Sequence, residues 1–121
     1  MRYMCLVHFE IDKLINASPA YRQDMDRRSL AYDEQLRQGG HYLASQAIDG
    51  PETAVLVRVR DGKMTTTDGP YMETKEAMAG FILIEARDMN EAIRLAAGIP
   101  LAELGTIEVR PVFVIPTPPA Q

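Results

Sequence analysis

Residues 3–9, YMCLVHF, are apolar on both alternating faces: Tyr3, Cys5, Val7 and Phe9 point one way, while Met4, Leu6 and His8 point the other. A period-two run without a polar side predicts a central strand covered on both faces. The period then changes. Ser18 supplies a capping hydroxyl and Pro19 a pre-set first residue, after which Tyr21, Met25, Tyr32 and Leu36 share one helical stripe. Gly39 and Gly40 end that helix.

A strand or extended segment resumes over HYLASQAI, and the turn residues DGPET at 49–53 lead into AVLVRVR, a strongly alternating strand. Asp61 and Gly62, between VRVR and KMTTT, are a strong hairpin signal. Asp68-Gly69-Pro70 then makes a turn in which Asp68 can bond backbone groups two residues on. Glu73, Thr74, Lys75 and Glu76 are expected to form a short helical turn, which Gly80 ends before a two-faced strand, FILIEA. In a regular turn Glu73 and Lys75 do not share a face, so they are poor ion-pair partners.

Asp88, with Glu91 three residues later, reads as a capping-box start to a second helix whose narrow apolar face is Ala92, Ile93, Ala96 and Ala97. Gly98 and Pro100 stop it, and IEVRPVFVI at 107–115 supplies a last long strand before a proline-rich frayed tail at 116–121. The order is β-α-β-β-(short β)-β-α-β, with a hairpin between two helix-bearing units. It predicts an α+β ferredoxin-like sandwich, a single domain over 1–121 with both helices on one face of one antiparallel sheet. Two helices cover only one face, yet Leu6, Leu83, Val112 and Val114 would load the other with apolar surface. A homodimer in which the bare sheet faces meet is therefore expected.

Composition narrows the functions. A net charge of −4 and a pI near 5.1 provide no broad positive field, and the basic groups at 26–28 and 57–60 are interleaved with acids or valines, which argues against nucleic-acid binding. The longest apolar run, residues 77–84, is too short to cross a bilayer. Glu10 and Asp12 interrupt the N-terminal apolar run, so no secretory signal is read and a cytoplasmic location is expected. The lone Cys5 reads as a small buried hydrophobe in a reducing compartment.

With the helices over Cys5 and Val7, the other face of the first strand carries His8, and Arg58, Glu85, Glu108 and Arg110 are candidates to share its covered space. Charges there need partners or a ligand, so the set either lines an interface cavity or forms paired charges at a sheet rim. His41, after the paired glycines, either moves a proton or caps the helix C-terminus. No H-x-x-H, H-E-x-x-H or C-x-x-C spacing is present, so no metal site is expected. Ser18, Ser29 and Ser45 lack a nucleophile elbow, and the glycines form no phosphate cradle; no cofactor is expected. Acid-base chemistry or plain binding remains.

The segment VRVRDGKMTTTDGPYMETKEAMAGFILIEA, with MRYMCLVHFE before it and GTIEVRPV after it, resembles the YCII-related family, and within it the DGPF-domain branch. The likeness covers nearly the whole chain. It implies a ferredoxin-like fold paired into a dimeric α+β barrel, similar to muconolactone isomerase-like proteins and a dehydrochlorinase that act on small ring compounds without redox cofactors. It also implies a setting beside extracytoplasmic-function sigma factors, hence a ligand-binding or regulatory dimer as the alternative to an enzyme. The family's histidine-aspartate pair places its histidine near the start of the first helix, where residues 18–28, SPAYRQDMDRR, contain none. Asp68 would then need His8 or His41 as its partner. Tyr71 stands where phenylalanine is usual, adding a hydroxyl that could donate to a ligand, and Met72 where a small residue is common. The expectation is a small anionic or aromatic ligand, with Tyr71, Glu73 and Lys75 near it and Arg110 or Lys75 holding an anionic group.

Overall fold

The computed structural model describes residues 1–120. Strand β1 (Arg2–Phe9) is followed by a five-residue helix α1 (Ile11–Ile15), the long helix α2 (Pro19–Gln38) and strand β2 (Tyr42–Ala47). A hairpin of β3 (Val55–Arg60) and β4 (Lys63–Asp68) precedes β5 (Ala77–Glu85), α3 (Met89–Ala97) and β6 (Gly105–Pro111). Four strands form one antiparallel sheet in the order β2-β5-β1-β6. With the helices against one side, this is the ferredoxin-like α+β fold.

Local signals are obeyed closely at the helix ends. Ser18 Oγ accepts from the Tyr21 N–H at 3.1 Å, and Asp88 Oδ1 accepts from the Glu91 N–H at 2.9 Å while Glu91 reaches back to the Arg87 N–H. Gly40, at φ +77°, supplies the left-handed residue after α2 and lets the His41 N–H return to the Leu36 carbonyl. Asp88→Ala is expected to cost about 1 kcal/mol, read as a lower urea midpoint with an unchanged denaturant slope.

Tyr3, Cys5, Val7 and Phe9 of β1 are buried beneath the helices with Ile82 and Ile84 of β5. Met25 and Leu36 of α2 are buried too, and Tyr21 and Tyr32 are half-buried, so the predicted stripe faces inward. In α3 the inward face is Met89, Ala92, Leu95 and Ala96, whereas Ile93 and Ala97 are exposed. The alanines allow that helix to approach the sheet closely; of the 92/93/96/97 face expected from the sequence, Ala92 and Ala96 face inward, while Met89 and Leu95 take the place of Ile93 and Ala97.

Four features depart from the sequence reading. The hairpin stands as its own two-stranded sheet, not part of the main one. Its turn is as expected, with Asp61 and Gly62 both at positive φ. The 73–76 segment forms no helical turn, and β5 begins at Ala77 with Gly80 inside it, buried and opposite Val7. A Cβ on Gly80 would lie 2.5 Å from the Gln46 carbonyl oxygen, so the glycine is needed for close strand packing instead of for stopping a turn. β6 ends at Pro111, one further bond runs from the Val112 N–H to the Arg2 carbonyl at 3.0 Å, and residues 112–115 run on exposed instead of extending the strand to 115. Finally, α1 adds a third helix. Residues 116–120 are exposed without regular structure, and Gln121 of the predicted tail lies outside the described residues.

Candidate active site

The sheet face turned away from the helices is built by alternation. On β1 it presents Met4, Leu6 and His8; the register sets Leu6 between Phe81 and Glu108, Met4 between Leu83 and Arg110, and His8 between Met78 and Thr106. An irregularity between Val7 and His8 shifts the β1–β5 register there, which keeps Met78 in the row despite the extra residue.

His8 Nε2 lies 3.0 Å from Glu108 Oε1. With Nε2–H donating to the carboxylate, Nδ1 carries the lone pair and is free to accept a proton, and the carboxylate stabilises the imidazolium that results. The histidine side chain is 26% exposed and the glutamate 48%, so the pair sits at a partly open surface where a small molecule can reach it. Among the described residues no carboxylate lies within ion-pair distance of Arg110, which shares the face two residues beyond Glu108 and is free to meet an anionic group.

The segment after the DGP turn folds against the same end of the sheet. Thr106, opposite His8, donates through Oγ1 to Glu76 Oε1 at 2.8 Å, and Lys75 Nζ lies 3.6 Å from Glu10, just past β1. Thr74 Oγ1 donates to the Glu76 carbonyl at 2.6 Å. Lys75 is strongly exposed at this rim, and so are Tyr71 and Glu73. A shallow cavity of about 460 Å³ lies between Pro51, Glu52, Pro70 and Glu73, with no histidine in its lining.

Other candidates are placed elsewhere. Asp68 closes β4 opposite Val55, and the turn is held by the Gly69 N–H donating to the Ala54 carbonyl at 2.8 Å; Pro70 has no N–H for an Asp68 side-chain bond two residues on. Neither histidine bonds to Asp68. His41 Nδ1 meets the Glu85 carbonyl at 2.8 Å, tying the residue after α2 to the end of β5; its ring bonds this strand carbonyl and none of the last carbonyls of the helix. Glu85 shares the open face but pairs with the N-terminal ammonium at 2.9 Å. Arg58 lies on the separate hairpin opposite Thr65. Sequence reasoning listed Glu108 only as a face-mate of His8 and passed over Thr106 and Glu76. Alternation gives the shared face, but pairing His8 with Glu108 needs the β1–β6 register. Cys5 is fully buried, and burial pushes its thiol up to about 11, so it is no nucleophile near neutral pH.

The family profile of the YCII-related domain matches residues 1–116. An uncharacterised protein of Rhizobium meliloti (strain 1021) is 38% identical over 60 residues, 48% of this chain and 48% of that protein. The match thus spans about half the length of the curated relative. Among solved structures, 5-chloro-2-hydroxyhydroquinone dehydrochlorinase (TftG) from Burkholderia phenoliruptrix AC1100, in complex with 2,5-dihydroxybenzoquinone, superposes with a TM-score of 0.56 over 93% of this chain and 94% of that one, at 17% identity. At that identity the likeness is one of fold.

Proposed function

This chain belongs to the YCII-related domain family, and from that premise we propose that it is a cofactor-independent acid-base enzyme acting on a small ring compound as a homodimer. The observation that carries the reading is the His8–Glu108 pair on a half-open apolar sheet face. His8 Nδ1 takes a proton from an O–H or acidic C–H of the substrate, Glu108 holds the ring orientation and balances the imidazolium charge, and the proton is returned or lost to water as the product leaves. Arg110, or Lys75 at the rim, holds an anionic group of the substrate. The fold shared with a dehydrochlorinase supports a ring substrate that loses a leaving group after deprotonation.

The second copy supplies what this face lacks, a wall that excludes water. Leu6, Phe81 and Leu83 are only half-buried in one chain; Val55, Val57 and Val59 of the hairpin are 61%, 61% and 60% exposed, and Phe113, Val114 and Ile115 about four-fifths exposed at 80%, 79% and 79%. That much apolar surface on three segments is what a partner chain covers. A site between the sheet faces would be dry enough to strengthen the His8–Glu108 interaction.

Light scattering is expected to show a dimer at micromolar concentration. Chloride release or ultraviolet changes are expected with at least one of a panel of chlorinated di- and trihydroxybenzenes, without added cofactor. A stable monomer, or a panel that is neither bound nor turned over, would sink the proposal. Saturable binding without turnover would instead support the ligand-binding dimer, and a sigma factor would then be the partner to seek by pull-down.

A further inference from the structure

We infer that the cavity on the opposite, helix-covered side of the sheet is a separate binding site for a small, mostly apolar molecule carrying a hydroxyl or, better, an ammonium group. It measures about 510 Å³, within the ordinary range for small-molecule sites, and lies between α2, the β2–β5 end of the sheet and the Pro100–Glu103 turn.

The space has a sequence cause. At one end of the sheet the helix-facing positions are large, with Tyr42 opposite Ile84; two steps along they are Ser45 opposite Ile82, and then Ala47 opposite Gly80. The layer therefore tapers beneath α2, and the gap is left where the side chains are smallest. Backbone contacts prevent a larger residue at Gly80 from filling it.

The walls are Val7, Ile82, Ile99 and Leu101, and the charged side chains in the lining all have one sign. Asp26 and Asp33 both line the cavity and no lysine or arginine does. Asp33 Oδ2 accepts from Ser45 Oγ at 3.1 Å, and Ser45 is in turn 2.8 Å from the Tyr42 hydroxyl, so this carboxylate is fixed by a hydrogen-bond chain while its second oxygen has no protein donor among the described residues. Asp26 has no ion-pair partner among them, because Arg27 and Arg28 are drawn to Asp24. Two carboxylates with no basic side chain beside them, next to apolar walls, favour a ligand that brings a cation or a donor and reject one that brings another carboxylate.

The spacing of the walls is fixed from outside the cavity: Tyr21 and Arg28 on α2 both bond Glu103, at 2.9 and 2.7 Å, which ties α2 to the Pro100–Glu103 turn. The site is thus formed before a ligand arrives. Its charge preference is opposite to that of the Arg110 face.

Methyl-labelled NMR of the full chain, titrated separately with phenethylamine, 2-phenylethanol and phenylacetate, tests the assignment, since the three share a skeleton and differ in the end group. Saturable shifts at Leu30, Ile82, Ile99 and Leu101 are expected with the amine, weaker ones with the alcohol, and none with the acid. Asp33→Asn keeps the Ser45 acceptor and is expected to weaken the amine roughly tenfold while leaving the alcohol nearly unchanged. Equal shifts with phenylacetate, no saturable shift with any probe up to its solubility limit, or an amine affinity indifferent to Asp33→Asn would each overturn the inference. Shifts confined to Met4, Leu6 and Met78 would also overturn it, by placing the binding on the other face.

Discussion

Gly105→Ala is expected to cost at least about 3 kcal/mol, a large part of the marginal stability of a chain this size, and to take the candidate face down with it. A Cβ built on Gly105 lies 2.0 Å from the His8 carbonyl oxygen, 2.6 Å from Phe9 Cβ and 2.8 Å from Phe9 Cα. Two of those three atoms belong to the backbone of β1, the strand with neighbours on both sides, so no side chain can swing away to make room. Either β6 retreats from β1 or β1 shifts within the sheet. Both break the register that sets Thr106 beside His8 and Glu108 beside Leu6. The measurement is a urea unfolding curve together with the chemical shifts of the His8 ring. A variant within about 1 kcal/mol of the parent, with an unmoved His8 ring, would show that the strands pack less tightly than described.

If the proposed acid-base role holds, His8→Ala is expected to lower kcat by about 10²- to 10⁴-fold on any substrate turned over, with KM changed little, because in that role the imidazole moves the proton and does little of the holding. Glu108→Gln should fall between the two, since the amide oxygen can still accept from Nε2–H but no longer balances an imidazolium; the loss should again be in kcat. Arg110→Met should show the opposite split, raising KM with a smaller effect on kcat, if it holds an anionic group in ground and transition states alike. These contrasts separate chemistry from folding, since all three side chains are at least partly exposed and none fills the core. A kcat/KM for His8→Ala equal to that of the parent would remove His8 from the mechanism.

Much of the fold was legible because its determinants are local. Helix caps at Ser18 and Asp88, the left-handed Gly40, the Asp61-Gly62 turn and the two-faced β1 each rest on chemistry within a few residues. The errors have a common origin. Gly80 carries the same letter whether it ends a turn or lets two strands approach, and only the neighbouring Gln46 carbonyl decides which. The run 107–115 reads as one strand, yet the strand ends at Pro111 and its last bond to β1 is made by the Val112 N–H, because β1 begins at Arg2 and offers no partner beyond it. The hairpin obeyed its turn signal, but a turn specifies two strands and not the sheet they join.

The candidate site follows the same division. Alternation alone put His8, Glu85, Glu108 and Arg110 on one face, because side-chain direction in a strand is a property of the strand. Which of them touch is a property of register between strands distant in sequence: 100 positions separate His8 from Glu108, and 84 separate Glu85 from the N-terminus. Asp68, the residue the family signature draws attention to, proved to end a hairpin strand with neither histidine as a bonded partner. By itself the sequence determined the main strands and the two long helices, the helix caps, the hairpin turn and the two faces of β1, since these are settled by local sterics and hydrogen bonding. Only the tertiary structure decided which faces meet, where the layer tapers into a cavity and which carboxylate orients the histidine, since each depends on contacts that exist only once distant strands are in register.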